Sequence, residues 1–235
     1  MKPVLVGFGT VKGGASKSTL TVTMANFIHH LGGKYRVCVI DADDKQQTVQ
    51  QLRSRDKAQN QDPDFDWYNI ESISSADFPE KWLRLDTDYF ENFDFVFIDL
   101  PGSIKQKGVI QSFALLDLLF VPFNLNQTEI DATVKFLIEF KEVETARKNA
   151  GYPAIEKLML LSRIDKRSVE AKKLEEIKGQ LQLKFLSNFF PLKPALYGRD
   201  LKTFLVNGDE IDKLTQELCN EIFQLMVAKH KERNA

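Results

Sequence analysis

The segment Lys12-Gly13-Gly14-Ala15-Ser16-Lys17-Ser18-Thr19 constrains this chain more than any other part of it. An apolar run over residues 4–10 leads into it, and an apolar helical pattern leaves it at Lys17. Small residues between a strand and a helix let successive backbone N–H groups face one anion, and the helix N-terminus adds roughly half a positive charge. In such a loop Lys17 reaches the β- and γ-phosphates of a nucleotide, and the Ser18 hydroxyl takes a coordination position on Mg²⁺. A chance match to Lys-Gly-Gly-x-x-Lys-Ser-Thr in a chain of this size is on the order of 10⁻⁵ to 10⁻⁴. A fortuitous glycine turn is therefore a poor account of it.

Further β-branched runs predict strands over residues 37–41, 66–70, 93–99, 118–123, 157–162 and 186–190. Helical patterns lie between them over residues 17–31, 76–85, 108–115, 129–149 and 169–182, with a last helix over about 209–229. This alternation predicts an α/β fold, a doubly wound, mostly parallel β-sheet flanked by helices. The polar tract over residues 53–66 reads as a long loop or a ragged helix end. It lacks Gly/Ser linker character, so all 235 residues are read as one domain.

Two further segments end apolar strands in acid. "VCVIDADDKQQT" places Asp41 and Asp43 at and just beyond a strand's carboxyl end, the edge where such sheets bind ligands. "FDFVFIDLPG" runs into Asp99 and breaks at Pro101-Gly102. A strand-terminal aspartate alone is as readily a helix cap or turn former as a catalytic group. What distinguishes these is their order behind the small-residue loop.

Other features exclude more than they assert. Lys plus Arg total 32 against 33 acids, so no global field draws the chain to nucleic acid or anionic lipid. Cys38 and Cys219 lack metal-type spacing and read as buried thiols of a reducing compartment. The N-terminal apolar stretch is too short for a signal peptide, and "FALLDLLFVPF" carries Asp117 and is far short of a span. A cytoplasmic protein is the expectation. Arg163, Lys166, Arg167, Lys172 and Lys173, and later Lys229, Lys231 and Arg233, form modest basic clusters. They suit DNA phosphates or an ordinary solvated helix face interspersed with Glu170, Glu175 and Glu176. Ile211, Leu214, Leu218, Ile222 and Leu225 recur at three- and four-residue spacing, as in a closing helix packed on the core rather than a membrane anchor.

"KGGASKST" resembles the deviant Walker A motif of the ParA/MinD family of P-loop ATPases, whose usual form is Lys-Gly-Gly-x-Gly-Lys-Ser/Thr-Thr. The resemblance implies ATP and Mg²⁺ as ligands, with Lys12, Gly13, Gly14, Ala15, Ser16, Lys17, Ser18 and Thr19 around the nucleotide. It implies that Lys12 reaches across a homodimer to the partner's phosphates. "VCVIDADDKQQT" resembles the family's Asp-x-Asp-Pro-Gln segment, which assigns the attacking water to Asp43 and a place near the Mg²⁺ water shell to Asp41. "FDFVFIDLPG" resembles a Walker B strand, with Asp99 on the metal. "LLFVPFNLNQTEIDATVKFL" matches the passage beside the switch region, and "LLSRIDKR" and "PLKPALYGRD" fall where relatives line the adenine pocket. Ser16 in place of glycine, Asp44 in place of proline and Ser162 in place of a frequent asparagine depart from the pattern.

The resemblance to small ParA proteins implies a slow, Mg²⁺-dependent ATPase for DNA segregation. Such a protein would dimerise on ATP, bind DNA non-specifically on the nucleoid and be reset by a ParB-like partner. The chain begins at the phosphate-loop strand, so no helix-turn-helix domain is expected ahead of it. The alternative is a hydrolysis-poor, nucleotide-dependent scaffold in conjugation or protein positioning. A MinD-like membrane role would need a lipid-binding tail, cluster-bridging carriers would need suitably placed cysteines, and tyrosine-kinase relatives would need a tyrosine-rich tail.

Overall fold

Five-residue apolar runs that are buried throughout dictate the architecture. In the computed structural model, which describes residues 2–10, 16–84, 87–164, 174, 176–179, 183–192, 201–205 and 211–235, seven parallel strands form one sheet in the order β3-β2-β4-β1-β5-β6-β7. They are β1 (Val4–Phe8), β2 (Val37–Asp41), β3 (Asn69–Ser72), β4 (Phe95–Asp99), β5 (Leu118–Phe123), β6 (Glu156–Ile164) and β7 (Phe190–Pro191). Successive side chains point to opposite faces, so Val4, Val6 and Phe8 enter one core while Leu5 enters the other. The first core takes α1 (Lys17–His29), α2 (Thr48–Gln59) and the closing helix α7 (Lys213–Arg233). The second takes α3 (Phe78–Leu83), α4 (Thr87–Phe90), α5 (Val109–Leu115) and α6 (Gln127–Asn149). Central strands are buried on both faces, which is why they read as continuous apolar runs.

The chain winds toward β3 after β1 and toward β7 after β4. The reversal falls between β1 and β4, where open sheets hold their ligands. Gly9, just past β1, lets the chain pack closely against α6: a Cβ there would lie 2.8 Å from the Phe136 ring.

Several expectations shift in detail. Of the two readings of the tract over 53–66 the helix end holds, because residues up to Gln59 belong to α2. Its buried side chains are Val49, Arg53 and Asp56, so no apolar stripe announces it. The third strand starts at Asn69 rather than at 66, and the seventh shrinks to Phe190–Pro191, preceded by an isolated bridge between Met159 and Phe185. The longest described helix begins at Gln127, because the Asn126 side chain accepts from the Glu129 amide and caps it. Of the helix expected over 169–182, residues 174 and 176–179 are helical and the rest lie outside the described residues.

The closing helix packs as expected, burying Leu218, Cys219, Ile222, Phe223 and Met226. Both cysteines are free and buried. Asp117 is also buried, where it accepts from the Leu5 amide at 2.8 Å and pairs with Arg233. No helix among the described residues is long and apolar enough to cross a membrane.

Candidate functional site

Parallel pairing of β2 with β4 sets Asp41 directly beside Asp99 at the carboxyl edge of the sheet. The register is tightened by the Ala42 amide, which donates to the Asp99 carbonyl at 3.0 Å. β1 lies on the other side of β4 and delivers the chain to α1, whose first residues are Lys17 and Ser18. Ser18 and Lys17 both favour the charged form of the Asp99 carboxyl, and Asp99 and Asp43 are the acids whose charge acts on Lys17. The fold thus brings together Lys17, Ser18, Asp41, Asp43 and Asp99. Thr19 follows in α1 and is buried. Lys12, Gly13, Gly14 and Ala15 lie outside the described residues.

Asp41 has two tasks. Its Oδ2 accepts the Gln50 amide at 2.9 Å, in the first turn of α2, whose own N-cap residue Gln47 makes no side-chain cap. The preceding strand therefore supplies the cap that the helix lacks. Its Oδ1 is buried without a hydrogen-bond partner, and so is Asp99 Oδ1. Asp43 forms a turn, its Oδ1 accepting the Lys45 and Gln46 amides at 3.2 Å each.

Burial pushes the Asp99 carboxyl up to about 7, against the opposing pull of its Ser18 hydrogen bond and of Lys17. Burial also raises Asp41, with amide hydrogen bonds working against it. Lys17 is lowered by burial and partly restored by Asp99 and Asp43. Two adjacent orphaned carboxylate oxygens fit a hydrated divalent cation, and a lysine with a helix N-terminus beside them fits the anion such a cation accompanies. Among the described residues no group of three or more His, Cys, Asp or Glu could hold a metal alone. The residues present thus fit Mg²⁺ that shares its coordination with phosphate and water.

A raised carboxyl has a measurable consequence. Below about pH 7 the empty site holds a proton on Asp99, and placing Mg²⁺ and nucleotide there expels it. At pH 6.5, calorimetry in buffers of differing ionisation enthalpy should show more proton release for the native chain than for Asp99→Asn. The difference should vanish at pH 8.5. Equal release from both proteins at pH 6.5 would mean that Asp99 does not titrate in the site.

Ser16 occupies the left-handed region, φ 65 and ψ 16, directly before α1. A side chain at such a position is strained by roughly 1 to 2 kcal/mol relative to glycine. The Ser16 hydroxyl is buried and contacts the Ser162 hydroxyl at 3.3 Å, tying the loop's exit to β6. The next residue, Arg163, also has positive φ, 58. The Asn124 side chain holds the carbonyls of both Ser162 and Arg163, and Arg163 pairs with the buried Glu129 at 3.0 Å. Together with Gln47, φ 43, these are all the non-glycine residues of positive φ among those described; Ser16 and Gln47 follow β1 and β2, and Arg163 lies in the last residues of β6. Strain of this kind concentrates at functional sites. Sequence reasoning identified Ser16 and Ser162 separately as departures but gave no sign that they touch.

Comparison with known proteins finds relatives of the same fold. A family model described as ATPase MipZ matches residues 4–146. MinD cell division protein of Aquifex aeolicus superposes with a TM-score of 0.68 at 19% identity, covering 95% of this chain and 96% of that one. A plasmid partition protein of Borrelia burgdorferi gives 0.56 at 17%, covering 97% and 100%. Cobyrinic acid a,c-diamide synthase of Mycobacterium smegmatis, solved with an ATP analogue and magnesium, gives 0.66 at 16%, covering 95% of each. At these identities the likeness concerns the fold. No curated protein sequence matches the chain.

Proposed function

The chain belongs to the ATPase MipZ family, and from that premise we propose that it is a ParA-like partition ATPase, an ATP-dependent dimerising switch that binds DNA non-specifically. The observation that carries this reading is the meeting of Lys17 and Ser18, at the N-terminus of α1, with the orphaned oxygens of Asp41 and Asp99. Lys17 and the helix N-terminus balance phosphate charge, and Ser18, Asp41 and Asp99 hold Mg²⁺ and its water shell. Bound Mg²⁺ supplies further neutralisation of the phosphates. Asp43 orients the attacking water, and Lys12 of each protomer neutralises charge in the other's site. Loss of the γ-phosphate releases the dimer and the DNA, and a ParB-like partner hastens that step.

The test is DNA binding with ATP, ADP or no nucleotide across a salt series. Binding is expected with ATP alone. If the dimer neutralises about six phosphates, affinity should drop by about 10³ between 50 and 200 mM salt. Equal binding with ADP, or a flat salt response, would overturn the DNA switch. Ser16 favours a second reading, a scaffold with little hydrolysis, because a strained residue precedes Lys17. Mg²⁺-dependent phosphate release no greater than that of a Lys17→Ala control would select it.

A further inference from the structure

A buried polar network lies more than a turn along α2 from the candidate site. The Asp56 carboxylate accepts the Thr203 amide at 2.6 Å and the Thr203 hydroxyl at 2.9 Å on Oδ2, and Arg55 at 2.6 Å on Oδ1. Arg53 donates from Nε to the Thr203 hydroxyl at 2.9 Å, from Nη2 to the Thr203 carbonyl at 3.1 Å and from Nη1 to the Tyr68 carbonyl at 2.7 Å. Arg55 also bonds the Leu201 carbonyl. Thr203 is wholly buried, Asp56 is 1% exposed and Arg53 5%. From the other side, Asn26 of α1 donates to the Lys202 carbonyl at 2.8 Å. Three consecutive residues are thus fastened to both helices that leave the candidate site.

Apolar contact would hold a surface segment to two helices at lower cost in desolvation. Buried charges fully hydrogen-bonded in this way give geometry rather than net stability. That geometry matters at the site, because α1 starts with Lys17 and Ser18 while α2 is capped by Asp41 and follows Asp43. Any change in the spacing of the two helices would move the cation side of the site relative to the carboxylate side. The network also ends in a built-in reporter. The Arg53 guanidinium lies 4.7 Å from the Trp67 ring, which packs with Phe65 and Phe204 at 4.7 and 5.2 Å.

We infer that Arg53, Asp56 and Thr203 are positioning residues, which lock α1, α2 and residues 201–203 into one unit so that occupancy of the nucleotide site is registered at Trp67. The inference rests on the proposed nucleotide site and extends it to residues that touch neither phosphate nor metal.

Trp82 is the other tryptophan, so Trp82→Phe leaves Trp67 as the sole indole. In that background, Mg²⁺·ATP should change Trp67 emission with the same midpoint as binding of a fluorescent ATP analogue. Thr203→Val, which keeps the backbone bonds and loses the hydroxyl, should bind the analogue within about threefold of the parent yet lose the emission change. Its turnover at saturating ATP should fall at least fivefold. Thr203→Ser should restore both, whereas a merely structural role would lower the melting temperature and leave emission response and turnover at 25 °C intact. Saturable analogue binding with a silent Trp67, or a Thr203→Val protein that responds like its parent, overturns the inference while leaving the nucleotide site standing. Absence of analogue binding in every protein overturns the nucleotide site and this inference with it.

Discussion

Lys17→Ala is expected to weaken nucleotide binding at least 100-fold, about 2.7 kcal/mol, while the folded protein becomes no less stable. The two outcomes come from one fact. Burial lowers Lys17 below the usual lysine range, so its charge is poorly accommodated in the empty site despite Asp99 and Asp43. A triphosphate supplies the missing counter-charge at close range, and the variant has nothing to offer it. Equilibrium binding of a fluorescent analogue beside a thermal melt of the unliganded protein checks both halves. Binding within threefold of the native chain would remove Lys17 from the site. A melting temperature lowered by several degrees would show that the lysine stabilises the fold rather than the ligand.

Lys12→Ala is the second large effect, and it should separate binding from assembly. Lys12 lies outside the described residues, and the role proposed for it rests on sequence position and the family resemblance. The variant is expected to bind ATP as a monomer within about threefold of the native chain. It should lose ATP-dependent dimerisation, because removing one partner of a close charge pair at an interface costs about 2 to 5 kcal/mol. That corresponds to a dimer dissociation constant raised by about 30-fold or more. Size-exclusion chromatography with a non-hydrolysable analogue reads it directly. A variant that dimerises like the native chain would show that the lysine does not act in trans.

The edge that carries the candidate site was legible in the sequence where strands end. Val37–Asp41 and Phe95–Asp99 are buried throughout, so an acid closing each apolar run marks the carboxyl edge without ambiguity. Their side-by-side pairing was not legible, because strand order depends on contacts between distant segments. The helix Thr48–Gln59 was half hidden for a related reason. Its cap is Asp41 from the strand before it, and its inward face is Val49, Arg53 and Asp56, so neither a local cap nor an apolar period marks it. Thr203 gives no local signal at all, since what buries it lies some 150 residues earlier in the chain. The left-handed backbone of Ser16 could be asked about from the missing glycine, but its contact with Ser162 needed the fold.

The pair of orphaned carboxylates also sets when the empty protein is weakest. Asp99 binds its proton more tightly folded than unfolded, so its burial is harmless below its unfolded value near 4 and increasingly destabilising as pH rises to about 7. Asp41 offsets part of its burial by capping α2, whereas an Asp99→Asn exchange would relieve that cost and leave the empty fold more stable above about pH 7. An aspartate that ends a buried strand at this cost to the empty protein is one that folding alone does not account for.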